Sequence, residues 1–340
     1  MEQKKEKKQS LVARFKDPSF KIARKGKWYA IAPAVILVAG LIVMLVVNFN
    51  LGLDFTGGRR IRIQTESEPQ YQEFRPKVES VFQQFQSEHG ASFTIVRTEF
   101  DGISIEVEFQ NVSGKTDEQM DELTEGLLDK LKVELGASVV IDNIGQTSAR
   151  ASTEFIMTTI YAAVGILAMI LLYMLFRFKF TSGVAAVIGL FHDIAIMMAI
   201  VAIFQIQLNQ AIIAALATVL VYSLNNTLVL FDRIRGAEKA NNGMETTEEL
   251  VDRCVKETFT RTMNTTITTL VPLFVLIILG VPAIREFTIP ILFGLIAGTF
   301  STIFVTTSLY VRFENAKKYA QRKKKLKAIN SSSAEAKSAS

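Results

Sequence analysis

Residues 180–203 read FTSGVAAVIGLFHDIAIMMAIVAI, 24 consecutive positions without a lysine or arginine and with one carboxylate, Asp193, fourteenth in the run beside His192. A helix rising ~1.5 Å per residue needs about 20 residues to cross a hydrocarbon layer of ~30 Å, so this segment has the length and polarity of a membrane span. Five further apolar runs lie around it, at 29–47, 156–176, 206–231, 262–284 and 287–311, and none holds a charged side chain. The expectation is a mostly α membrane protein with six transmembrane helices.

The rest of the chain agrees with that division. Its 340 residues are 49% hydrophobic with a mean hydropathy of +0.27, yet they include 38 Lys and Arg and 33 Asp and Glu. Apolar and charged residues must therefore be segregated along the chain, which excludes a soluble enzyme and a disordered chain. Cys254 is the only cysteine, so a disulfide scaffold is excluded, and His89 and His192 are the only histidines, too few for an all-protein zinc site. No catalytic residues and no metal ligands are expected.

Charge distribution sets the orientation. Residues 1–28 hold ten Lys and Arg, the tail from Arg312 holds nine, and residues 59–150 hold ten basic against 17 acidic residues. Basic runs beside membrane spans are a positive-inside signal and a lipid-surface contact, not a nucleic-acid surface. The expected order is a basic cytoplasmic segment at 1–28, a first transmembrane helix at 29–50, an extracytoplasmic domain at 51–153 and five further helices across 154–313. A cytoplasmic loop at 232–261, an outer turn at Arg285 and Glu286, and a disordered basic cytoplasmic tail at 314–340 complete it. Trp28 and Tyr29 suit the inner interface, and the first apolar run is too long for a cleavable signal.

The extracytoplasmic region reads as a small α+β domain. Ile61 and Ile63 alternate with Arg60, Arg62 and Gln64 as in a strand, while Phe74, Val78, Phe82 and Phe85 recur at helical spacing. Two strand runs at 93–100 and 103–109 flank Asp101-Gly102, a tight-turn dipeptide. Thr116 and Gln119 form a capping-box pair ahead of a helix that would bury Leu123, Leu127 and Leu131. Residues 139–141 supply a last strand. The order strand, helix, strand, strand, helix, strand is that of a ferredoxin-like unit inserted between the first and second transmembrane helices. His89, beside Gly90, is expected in a loop.

Polar residues inside the apolar runs carry the functional information. An ionised side chain at mid-bilayer costs at least ~2.5 kcal/mol, so Asp193 is a functional candidate; the alternative is a structural clamp that accepts hydrogen bonds from a neighbouring helix. Tyr222, Ser223, Asn225, Asn226 and Thr227 put a polar face on the fourth span. Arg261, Asn264, Thr265 and nearby threonines crowd the entry to the fifth, a density that suits close helix packing or a hydrated path. Asp232, Arg233 and Arg235 end the fourth span as an interfacial ion-pair set.

Four motifs resemble one family. Residues 51–58, L-G-L-D-F-T-G-G with Gly52, Asp54, Gly57 and Gly58, look like the G-L-D-F-x-G-G signature of the SecF family, the smaller of the paired SecD and SecF subunits of bacterial protein export. Arg177-Phe178-Lys179-Phe180 with Leu190-Phe191-His192-Asp193 is similar to its R-F…L-x-H-D pattern. Residues 222–235 resemble its Y-S-I-N-D-T…V-F-D-R-I-R run, and 261–266 with 294–300 its R-T-x-N-T-S…G-x-x-x-G-T pattern.

The resemblance implies half of an RND-type assembly in the bacterial inner membrane, with both termini cytoplasmic. Its partners would be SecD, the SecYEG channel and the SecA motor, with a YidC-like insertase as a further partner, besides membrane lipids and the unfolded polypeptide in transit. It would use the proton or sodium motive force to assist export after SecA-driven translocation, with that ion and no other cofactor. Gly52, Gly57 and Gly58 would free the backbone at the membrane exit, with Asp54 anchoring the domain there. By the same resemblance Asp193, Asn226 and Arg261 are the ion-coupling candidates. Many relatives have an aspartate where this chain has Asn226, and an amide neither takes nor releases a proton near neutral pH. Three readings follow: SecD supplies the coupling carboxylate, Asp193 takes part, or the position has been altered. The rival functions are a translocase stabiliser without ion coupling and a small-molecule or lipid RND transporter half.

Overall fold

The computed structural model describes residues 31–65, 67–98, 103–112, 114–136, 140–241, 244–279 and 282–338. The basic segment 1–28, the Trp28 and Tyr29 pair and the Asp101-Gly102 turn lie outside the described residues. Helix α1 (Ile31–Val47) is apolar throughout, and after it a short α2 (Leu53–Thr56) leads into strand β1 (Gly58–Thr65). Then follow α3 (Glu68–His89), β2 (Phe93–Thr98), β3 (Ile103–Gln110), α4 (Asp117–Leu135) and β4 (Ile141–Thr147).

The four strands form one antiparallel sheet in the order β2-β3-β1-β4. Ile61 and Ile63 point to one face with Ile105, Val107 and Phe109, and the apolar stripes of α3 and α4, including Phe82, Leu127 and Leu131, cover that face. On the other face Arg60 and Arg62 stand opposite Glu108 and Glu106 and pair with them across the ladder. Arg59 is fully buried and crosses to α4, where its guanidinium meets Asp121 Oδ1 at 2.6 Å and the Asp117 carbonyl at 3.1 Å. The Thr116 capping box forms in both directions. Two local expectations differ. His89 is the last residue of α3, because Gly90 supplies the left-handed C-terminal residue that ends it. The last described strand begins at Ile141 and runs to Thr147, and its bulge opposite Arg60 and Ile61 includes Gly145.

From Ala149 the chain is helical almost to its end: α5 (Ala149–Arg177), α6 (Phe180–Ile203), α7 (Gln210–Ala240), α8 (Thr247–Leu279), α9 (Pro282–Phe300), a π-helical segment (Ser301–Thr306) and α10 (Thr307–Ser338). Among the described residues five stretches are long and apolar enough to cross a membrane, at 151–177, 180–203, 210–240, 247–279 and 287–326, so the chain is a multi-pass membrane protein. The apolar helix at 33–47 is shorter.

The stretch expected as a loop at 232–261 is mainly two helix ends, because Ile234 and Ala237 on α7 and Leu250, Val251, Cys254 and Val255 on α8 pack into one core beyond the apolar runs. The turn expected at Arg285 and Glu286 falls within α9, and α8 is described as far as Leu279. The basic tail, expected to be disordered, continues α10 to Ser338, consistent with its Lys, Arg, Gln and Ala content.

Helices α6, α7, α9 and the π-helical segment form the bundle centre, while α5 exposes Phe176 and much of its surface to the surroundings. Small residues set the closest approaches: a Cβ on Gly40 would lie 2.4 Å from Ala199 Cβ, and one on Gly294 2.5 Å from Val219 Cγ2.

Candidate functional site

Asp193 sits on α6 with no exposed surface. Its Oδ2 accepts from Ser223 Oγ on α7 at 2.5 Å, and its Oδ1 lies 3.1 Å from His192 Nδ1. A Cβ on Gly298 of α9 would come 2.9 Å from Ser223 Cβ and 3.5 Å from Asp193 Oδ2, so the absence of a side chain at 298 lets three helices close on the carboxylate. The ionised carboxylate can accept from both neighbours, and the protonated acid can donate from one oxygen. This geometry can hold or hand over a proton, or clamp α6 to α7.

Below and beside it run hydroxyl contacts. Tyr222 donates to Thr266 Oγ1 at 3.0 Å, Thr266 meets Thr299 at 2.9 Å, and Thr227 meets Thr302 at 3.1 Å. Ser301 and Thr302 turn their hydroxyls back onto the Gly298 carbonyl, competing with the helical ladder where the chain widens into the π-helical segment. Asn226 is buried next to this set, and its Nδ2 has no hydrogen-bond partner among the described residues.

The sequence-predicted cluster is therefore divided. Asp193, His192 and Ser223 are joined, and Tyr222, Asn226 and Thr227 line the same bundle interior. Asn225, Asn264 and Thr265 are exposed on the outside of α7 and α8. Arg261 is exposed as well and makes no hydrogen bond with Asn226 among the described residues: it lines a cavity with Val229, Asp232 and Arg233, further along α7. Asp232 accepts from Arg177 at 2.7 Å and lies 3.4 Å from Arg235, Arg233 pairs with Glu257, and Arg253 reaches Glu245 at 2.7 Å. The bond from Arg253 holds the Glu245 carboxyl below its ordinary value. These pairs form an ionic belt at the bundle end away from the sheet.

At the opposite end the glycine motif joins domain to bundle. Gly52 N donates to the Leu208 carbonyl at 2.8 Å and Leu208 N to the Asn50 carbonyl at 2.7 Å, a short parallel bridge. Asp54 Oδ2 accepts from Gln210 N at 2.8 Å, placing a carboxylate on the N-terminus of α7, where Asn209 also caps. Gln207 reaches Glu108 on β3. Gly57 is left-handed with φ 69°, and a Cβ on Gly58 would lie 2.2 Å from the Phe109 carbonyl, so neither position takes a side chain without strain. Sequence reading missed the 205–210 turn as the receptor of this motif; its run of amide side chains, Gln205, Gln207, Asn209 and Gln210, was the available signal. It also missed Thr302, which looks like an ordinary span residue. Among the described residues no three His, Cys, Asp or Glu side chains converge as metal ligands.

Comparison with known proteins places this geometry in a family. Residues 128–316 match the family described as "Protein export membrane protein SecD/SecF, C-terminal", and residues 43–68 match the "SecD/SecF GG Motif". Protein translocase subunit SecF of Petrotoga mobilis is 27% identical over 90% of this chain and 99% of its own length. Protein translocase subunit SecF of Desulfurispirillum indicum is 32% identical over 83% of this chain and 88% of its own. The crystal structure of SecDF, a translocon-associated membrane protein from Thermus thermophilus, superposes with a TM-score of 0.69 at 29% identity, covering 90% of this chain and 39% of that one. By the family match over more than half its length and by a relative spanned almost end to end, the chain belongs to the SecD/SecF protein-export family as a SecF-type translocase subunit.

Proposed function

We propose that this subunit works with a separate SecD half in the bacterial inner membrane, with both termini cytoplasmic, and assists export through the SecYEG channel after SecA-driven translocation, drawing on the proton or sodium motive force. The pairing is supported by the SecDF chain, of which this chain matches 39%. In this reading α1 is a sixth span. The strand order β2-β3-β1-β4 with two helices on one face supports a ferredoxin-like outer domain, which would meet the emerging polypeptide. A YidC-like insertase is a further partner.

One observation carries the proposal: the outer domain is tied by backbone and carboxylate hydrogen bonds to the turn that opens α7, the helix bearing Ser223 and Asn226. A shift of α7 would pull directly on the domain. Asn226 is an amide, so the coupling carboxylate is assigned first to SecD, with Asp193 holding α6 against α7. The test is export into reconstituted inverted vesicles, with and without a gradient and with and without this subunit. Loss of gradient-dependent export on its omission, and its co-purification with SecD, is the expected result; unchanged export, or purification as a homo-oligomer with bound drug or lipid, would favour the RND transporter half. The amide at 226 favours a second reading, a translocase stabiliser without ion coupling of its own. In that case omission would lower export equally with and without the gradient.

A further inference from the structure

The apolar run of the last span ends at Val311, and α10 continues to Ser338 without a glycine or proline, the usual sources of a kink. Within 307–326 its last side-chain bonds to the bundle are two. Glu314 accepts from Thr181 at the start of α6 at 3.0 Å, and Lys318 donates to Thr247 at the start of α8 at 2.7 Å. Every residue from 319 to 326 is exposed. Between 315 and 334 the sequence holds seven Lys and Arg, among them Lys317, Lys318, Arg322, Lys323, Lys324 and Lys325, and no Asp or Glu. Four consecutive residues exceed one helical turn, so 322–325 put positive charge on every side of the helix.

Lipid phosphate fits this helix poorly. Along the helix axis, residues 322–327 lie about 12–20 Å beyond the level of Glu314, further than the ~8 Å screening length at physiological salt. A helix that lies on a bilayer buries an apolar face. Across 315–326 the only large apolar side chains are Tyr319 and Leu326, both exposed, with Arg322 and Lys323 between them on the same stripe. A folded acidic protein would meet one side of the helix and leave the other charges unmatched. Nucleic acid carries its charge at close, regular spacing along two strands, so phosphates can flank a helix that is basic all round. We propose that residues 317–327 bind RNA through its phosphates. The choice of RNA rests on the export reading and the cytoplasmic tail proposed above, because synthesis of exported chains brings RNA to that face.

The experiment uses the full-length protein in phosphatidylcholine nanodiscs and a short labelled RNA duplex, read by fluorescence anisotropy across a salt series. Each phosphate contact adds about 0.9 to the fall of log affinity with log salt, so a wild-type slope of about 4–6 is expected. The combined variant Lys323→Gln, Lys324→Gln, Lys325→Gln changes exposed residues only, and its slope is expected to be lower by about 2–3, with binding about 100-fold weaker at about 0.1 M salt. Removing three charges from the basic N-terminal segment, as Lys4→Gln, Lys5→Gln and Lys7→Gln, is expected to leave the slope within about 1 of the wild type. Absence of wild-type binding, an equal fall in the N-terminal variant, or displacement of the RNA by poly-glutamate at equal charge would overturn the proposal, the last in favour of an acidic protein. A spin label at residue 324 that becomes shielded from an aqueous nickel reagent when phosphatidylglycerol is added would assign the tail to the lipid surface and overturn it as well. Ultraviolet cross-linking in cells is expected to give a ribonuclease-sensitive adduct that the tail variant loses; an adduct sensitive only to deoxyribonuclease would overturn RNA. The nanodisc readouts depend on neither export nor orientation, so their failure is distinct from failure of the proposed function.

Discussion

At residue scale the two ends of the molecule are governed by different constraints. Gly58 is constrained by space: a methyl group there meets the Phe109 carbonyl at 2.2 Å, on a backbone with φ 153°. Gly58→Ala is expected to destabilise the outer domain by about 1–3 kcal/mol, seen as faster hydrogen exchange across β1 and β3, because neither strand can move without breaking the register. Asp193 is constrained by chemistry. Ser223→Ala would leave its buried Oδ2 without a donor, and a loss of about 1–3 kcal/mol in bundle stability is expected in thermal unfolding in detergent. Ser223→Thr keeps the hydroxyl but presses its methyl toward Gly298, so it separates lost bonding from lost space. The sequence marked Asp193 as the lone carboxylate of the spans. That its partner is Ser223, and that Asn226 stands apart with an Nδ2 that has no partner among the described residues, depended on the rotation of α7 about its axis.

At element scale, α7 is the link. Its first N–H groups are met by Asn209 from its own chain and by Asp54 from the outer motif. Asp54→Ala is expected to cost about 0.5–2 kcal/mol as a lost helix-terminus partner, with raised hydrogen exchange at 207–213 and little change in α6. The far end of α7 joins α8 through a short ionic connection. Glu245 is held below its ordinary pKa of 4.5 by Arg253, so its contribution is present above that value and is lost as pH falls through the lower folded-state value. Mobility at residues 244–246, read by a spin label, is expected to rise only below about pH 4.5 in the wild type and to lose most of that pH dependence in Glu245→Gln. Span existence was legible here from apolar length alone. The extension of α7 and α8 beyond the membrane was not, because their apolar positions there are single residues spaced among charges and bury only against one another.

At the scale of the whole molecule, the sheet domain and the helix bundle meet where residues 50–54 and Glu108 contact 205–210 and where Leu53 and Phe55 contact Ser152 and Phe155 of α5. In the proposed assembly the membrane carboxylate that titrates belongs to SecD. Asn226→Asp is then expected to change gradient-dependent export by no more than a few-fold, since ~100 mV across the membrane supplies ~2.3 kcal/mol per charge only to a site that carries one. Neutralising the partner's membrane aspartate is expected to abolish it. Complete loss of coupling from Asp193→Asn alone, in the same vesicle assay, would move the proton site into this subunit.

The amino-acid sequence by itself determined where the chain must leave water, because hydrocarbon excludes charge over a fixed thickness and a run of some 20 apolar residues needs no partner to express that. It determined the strand and helix order of the outer domain and the lone position of Asp193 for the same reason: periodicity and charge are local. Only the tertiary structure decided what faces what. Ser223, Gly298 and Asp193 are 30 and more residues apart, Asp54 meets Gln210 across 156 positions, and Arg261 turns away from Asn226 toward Asp232. Those pairings follow from helix rotation and close packing at glycine, which many residues set together and no single motif records.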